Sequence, residues 1–87
     1  MATASIEDLM ERVRLLLEQS SLRDAFRGVA IEPAHTYGDD EVLRVYIQVA
    51  EPDRIPTEDA VAVSRQVVDD LSELDDRFPS VRFAEAA

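Results

Sequence analysis

The chain has 87 residues, 46% of them apolar and 32% charged, with 19 acids against nine bases, all arginine, for a net charge of −10. That length holds a single α+β-sized domain, 1–87, and the apolar share is too high for a disordered segment. The absence of cysteine removes disulfides, thiolate nucleophiles and every cysteine-based zinc site. The negative field opposes direct binding to nucleic acid, which needs a basic face that releases counterions.

A chain this short buries only about 60% or slightly more of its unfolded surface, so a monomer is expected to be marginal and to gain from a partner. No stretch approaches about 18 consecutive apolar residues. The opening MATASIEDLMERV has no basic n-region and no apolar h-region. The expectation is a cytoplasmic protein with no membrane association, whose acidity suits a basic protein partner.

In chain order, Ser5 is a good N-cap, with Asp8 three residues on as a capping-box analogue. Ile6, Leu9, Met10, Val13, Leu16 and Leu17 recur at helical spacing, which predicts a helix from residue 6 to Gln19. Leu15 and Leu22 fall off that stripe and are expected to cover the end of a sheet or to face a partner. Phe26 is expected to pack under the turn that Gly28 closes.

Next comes a hairpin pattern, VAIEPAHTY, then GDD, then EVLRVYIQV. Leu43, Val45, Ile47 and Val49 form the apolar face of the second strand. A three-residue loop, Gly38-Asp39-Asp40, sets them opposite His35, Pro33, Ile31 and Val29, whereas a two-residue loop would bury Glu32. Pro33 cannot donate to a ladder, so the first strand is expected at an edge or bulged. Thr57 is expected to cap a second helix with Glu58 and Asp59 in its first turn. Its buried stripe reads Ala60, Ser64, Val67, Leu71, Leu74 and Phe78, flanked by Val63 and Val68, until Pro79 stops it. SVRFAE then gives a third strand with Val81 and Phe83 inward. The order α-β-β-α-β predicts an α+β two-layer sandwich, two helices on one face of a three-stranded sheet.

Few residues suggest chemistry. Asp69, Glu73 and Asp76 recur at i, i+4 and i+7 on the second helix, but no histidine or carbonyl loop accompanies them. They read as a solvated face or an acidic docking surface rather than a metal site. GDDE lacks the spacing and the distal glutamate of a calcium loop. His35 is the only histidine and is expected as a half-buried structural imidazole near the hairpin end. No acid, base and nucleophile come together, so no catalytic site, metal or cofactor is expected. Tyr46, with Arg44 and Gln48, projects from the sheet away from the helices, beside Ala30, Ala34, Thr36 and Ala84. A face of small residues around one tyrosine suits a partner or a second copy.

The stretch Leu43-Arg44-Val45-Tyr46-Ile47, followed by Thr57, Asp59, Ala60, Val63, Ser64 and Arg65, resembles the N-terminal domain of the bacterial ribosome maturation factor RimP. That family has the same α-β-β-α-β order, so the resemblance implies a ribosome-associated factor. Gln48 stands where the family commonly has aspartate, and EPDRIP replaces its glycine-containing loop. The tail Phe78-Pro79-Ser80-Val81-Arg82-Phe83 resembles that of short acidic bacterial proteins encoded beside HEPN-type toxins, which implies an antitoxin-like or accessory role. The function expected from the residues is a non-catalytic protein-interaction module, either homo-oligomeric or bound to a basic partner. Tyr46, Arg44, Asp69, Glu73 and Asp76 are its candidate contacts.

Overall fold

A computed structural model describes residues 4–38 and 40–86. Helix α1 spans Ile6–Glu18, strands β1 and β2 span Phe26–His35 and Glu41–Val49, helix α2 spans Thr57–Leu74 and strand β3 spans Phe78–Glu85. The α-β-β-α-β sandwich expected from the sequence is the fold observed.

Ser5 begins α1 from an extended backbone, its Oγ accepting the Asp8 N–H at 3.1 Å. Leu9, Val13 and Leu17 turn one stripe of the helix into the core. After Glu18 the helix does not continue, because Ser20 closes it. The Ser20 Oγ donates to the Leu17 carbonyl at 2.7 Å and accepts the Leu22 N–H at 3.1 Å. That turn redirects Leu22 into the core, while Leu15 stays on the helix and is 45% exposed.

The sheet has β2 in the middle, antiparallel to β1 and parallel to β3. Its central position explains why Leu43, Val45, Ile47 and Val49 are all fully buried. The register differs from the one the loop length suggested: Leu43, Val45 and Ile47 face Pro33, Ile31 and Val29, a shift of two. The same side chains still point inward, because a slip of two preserves the pleat. The cause is a longer turn, from Thr36 to Asp40, in which the Thr36 N–H donates to the Asp40 carbonyl at 3.0 Å. Asp39, part of the expected loop, lies outside the described residues. Arg27 is a bulge between Phe26 and Gly28. The extra residue lets Phe26 and Val29 both point to the core, which plain alternation would forbid.

The hydrogen bonds also show which backbone groups face the open edges. In the antiparallel pair, Thr36 bonds across the ladder, so alternate residues, Pro33 among them, present their backbone nitrogen outward. In the parallel pair, the Ala86 N–H donates to the Val49 carbonyl at 2.9 Å, which leaves odd-numbered β3 residues, Pro79 included, facing the other edge. Each edge strand therefore carries its proline where no ladder bond is lost.

Helix α2 starts at Thr57 with Pro56 as its N-cap and without a side-chain cap, so Thr57 is the first helical residue rather than the cap. It buries Val63, Val67 and Leu71, then stops at Leu74, four residues earlier than the stripe to Phe78 suggested. Phe78 is instead the first residue of β3 and is 61% exposed.

Asp75 causes the early stop. Its N–H donates to the Leu71 carbonyl at 2.9 Å, and its fully buried carboxylate takes four donors. Oδ1 accepts the Arg77 N–H and Nε, both at 2.9 Å, and Oδ2 accepts the Ala4 N–H at 3.0 Å and Arg77 Nη2 at 2.7 Å. Arg77 Nη2 also donates to the Ala4 carbonyl at 3.3 Å. A carboxylate at a helix C-terminus opposes the dipole, and the bidentate guanidinium offsets that. The Arg77 side chain, helped by the backbone donors of Arg77 and Ala4, outweighs burial and lowers the Asp75 carboxyl from 3.8 to about 2.

Because the folded pKa is lowered, Asp75 stabilises the fold above about pH 4 and that contribution is lost as pH falls towards about 2. A shift of this size is worth about 2 kcal/mol. Asp75→Asn, which leaves the Arg77 charge without its counterion, is expected to cost about 2–4 kcal/mol at neutral pH in urea unfolding. The gap between wild type and variant should close between pH 4 and 2, and a pH-independent gap would separate the loss from ionisation of Asp75.

Candidate functional site

The outward side of the sheet is a grid of three columns, one per strand. Reading across β1, β2 and β3, its rows are Gly28–Gln48–Ala84, Ala30–Tyr46–Arg82, Glu32–Arg44–Ser80 and Ala34–Val42–Phe78. Tyr46, Gln48, Ala30, Ala34, Val42 and Ala84 are half-buried by one another, and Arg44 and Arg82 are exposed. The pattern VLRVYIQV places this face by its period of two, as the sequence indicates. Thr36 is not on it, since β1 ends at His35. Sequence reasoning missed Val42 and Phe78. Their signal was available, because once Pro79 is inward in β3, Phe78 must be outward.

Gly28 is held close by the Gln48 side chain, and a Cβ added there would lie 2.9 Å from Gln48 Oε1. Because that atom is the free end of a flexible side chain, it can swing away.

Charge is distributed unevenly between the two layers. Helix α1 carries four acids against two arginines and α2 five against one, whereas each strand carries one acid and one arginine. The helices thus hold six of the ten net negative charges and the strands none.

Asp69 and Glu73 are exposed on α2, as expected. Asp76 does not continue their row, since α2 ends at Leu74 and Asp76 sits in the turn before β3. The expected three-carboxylate face is therefore two carboxylates on the helix and a third on a different element. Beside Asp69, the outer surfaces of α1 and α2 enclose a groove of about 540 Å³ whose walls include Arg12, Leu15, Leu16, Gln19 and Asp70. Arg12 Nε reaches Asp70 Oδ2 across it at 3.4 Å.

His35 is exposed rather than half-buried. It ends β1 opposite Glu41, with Nε2 3.8 Å from Glu41 Oε1, and not beside Leu43. Among the described residues, no three His, Asp or Glu side chains come together as a metal site. Asp75, the one buried ionised group among the described residues, spends all its acceptors on Arg77 and Ala4, so it braces the fold and has none left for a substrate. Among the described residues, no helix is long and apolar enough to cross a membrane.

No family model matches the chain, and no curated protein matches it. Solved structures with the same fold include a chain of CzrB, a candidate zinc transporter, at TM-score 0.58 and 16% identity, covering 98% of this chain and 100% of that one. A single-site variant of MamM aligns at TM-score 0.53 and 18% identity, over 97% of this chain and 100% of that one. The magnetosome protein MamB C-terminal domain from Desulfamplus magnetovallimortis BW-1 aligns at 0.51 and 22%, over 92% and 95%. The fold is that of cation diffusion facilitator C-terminal domains.

These neighbours overturn the resemblances read from the sequence. The structural neighbours are the CzrB, MamM and MamB domains, not the RimP N-terminal domain or the proteins encoded beside HEPN-type toxins. The physical reason is that LRVYI with a capped amphipathic helix, and a helix-stopping proline before an alternating strand, are what any such strand–helix–strand unit uses for its core and turns.

Gly28→Ala should be tolerated, with a melting temperature within about 2 °C of wild type, because only the Gln48 amide must move. A loss of more than about 5 °C would mean that the Gln48 position is fixed by something other than its own packing.

Proposed function

We propose that the chain is a non-catalytic protein-interaction module that pairs with a second copy of itself through the outer face of its sheet. The observation that carries this reading is the charge segregation. Two copies meeting by their helical layers would oppose two surfaces of like sign, whereas the sheet face bears only Glu32 against Arg44 and Arg82. Small residues keep that face thin, so two sheets can approach to the usual separation of about 10 Å. Tyr46 near its centre and Phe78 at its end supply aromatic anchors, and Arg44 of one copy can reach Glu32 of the other about a two-fold axis.

The fold supports the same reading, since cation diffusion facilitator C-terminal domains form homodimers. A cytoplasmic setting and the absence of catalysis both belong to the proposal. Such a contact would also add apolar burial to the small core of an 87-residue chain.

Sedimentation equilibrium tests the reading. Wild type should be dimeric in the micromolar range, and Tyr46→Glu should weaken association by at least about tenfold and lower the melting temperature. Phe78→Ser, at a residue already exposed in the monomer, should weaken association without altering the far-ultraviolet circular dichroism. A wild type that stays monomeric at high micromolar concentration, or a dimer indifferent to both substitutions, overturns the proposal.

A further inference from the structure

The groove between the helices is a second surface, on the side of the molecule opposite the sheet face. Helix α1 leans on β1 and α2 leans on β3, and the groove between their outer surfaces is lined by Leu15 and Leu16 together with polar side chains that include Gln66, Asp69 and Asp70. Leu15 is one of the few large apolar side chains that remain exposed. The cations near it are already engaged. Arg12 spans the groove to Asp70, and Arg14 is held by Glu11 and Glu18 on its own helix. Arg65 lies on the β3 side of α2, beside Phe83 and Ser80, a surface that Asp69 also borders, and makes no ion pair with it. Asp69 and Glu73 have no cationic partner among the described residues.

We infer that this groove docks a basic amphipathic helix of a partner protein. Two adjacent leucines bordered by the carboxylates of Asp69 and Asp70 are the complement of a helix with leucine-type residues on one stripe and arginine or lysine beside it. The anchor side chain lies on Leu15 and Leu16. The flanking cations reach Asp69 and Glu73 and compete with Arg12 for Asp70, whose existing ion pair is solvent-exposed and weak. The six excess negative charges of the two helices steer such a partner towards this side. The same field repels phosphate backbones and anionic lipid, so nucleic acid and membrane surfaces are the wrong occupants.

The probe is a fluorescein-labelled designed peptide of about 15 residues, long enough to be partly helical, with leucines at i, i+3, i+4 and i+7 and arginines between them. A scrambled peptide of the same composition keeps the charge and loses the stripe. In fluorescence anisotropy with the full chain, the designed peptide should bind at least about tenfold more tightly than the scrambled one, and more weakly as salt rises. Asp69→Arg should weaken binding by about tenfold or more, and Leu15→Ser by several fold, with Tyr37→Ser, at an exposed residue of the hairpin turn far from the groove, as a control that leaves it unchanged. All these positions are at least partly exposed, and circular dichroism checks that each variant stays folded. Amide chemical-shift changes should map to the last turns of α1 and the middle of α2. Equal affinity for the scrambled peptide, no binding at high micromolar concentration, indifference to both groove substitutions, or shifts confined to the sheet would each overturn the inference.

Discussion

The Asp75 carboxylate is the point at which three parts of the chain meet. It terminates α2, receives the backbone of Ala4 just before α1, and grips Arg77 just before β3. Only residues 75–77 separate the helix from the strand, so the direction in which Asp75 releases the chain determines how β3 enters the sheet. A parallel neighbour for β2 requires a long crossover that returns to the same end of the sheet. Here the return depends on one buried ion pair whose every acceptor is filled. The bond to Ala4 spans 71 residues and fastens the first helix to the same point, so both helices are registered over the sheet from a single corner.

Much of the remaining architecture follows from separating charge from pairing. The strands contribute no net charge, and backbone ladders and apolar side chains hold them together. The helices contribute most of the acidity and keep it in solvent, opposite the buried stripes of Leu9, Val13 and Leu17 and of Val63, Val67 and Leu71. Repulsion within such a layer is tolerable because water screens exposed charges over about 10 Å at moderate salt. The result is a molecule with two chemically different sides, one thin and almost neutral, the other ridged and acidic.

Legibility in the sequence followed the range of the forces involved. Local periodicity placed α1 to within a residue, identified the inward side chains of β2 and separated Tyr46 and Arg44 from the core. It could not fix the hairpin register, since a shift of two leaves the pleat unchanged and only the turn from Thr36 to Asp40 decides it. It also ran α2 on to Phe78, because a hydrophobic stripe does not reveal that Asp75 occupies the buried position four residues after Leu71. An aspartate at that position followed two residues later by arginine was the available clue. Its other partner, Ala4, is too distant in sequence for any pattern to find. For the outer face, Tyr46 stood out by its neighbours, whereas Phe78 was concealed by its assignment to the helix.

The two edge prolines bear on how this protein behaves when crowded. A small open sheet is ordinarily a template, since every outward N–H and C=O on a border strand can recruit another strand and extend the ladder indefinitely. Pro33 interrupts one border midway and Pro79 blunts the other near its start, each by withholding a donor where an incoming strand would need it. Growth in the plane of the sheet is thereby discouraged in both directions, while its perpendicular direction stays open. Assembly is biased towards closed, countable particles over filaments, and an acidic chain with a three-stranded sheet can be concentrated without polymerising through its rims.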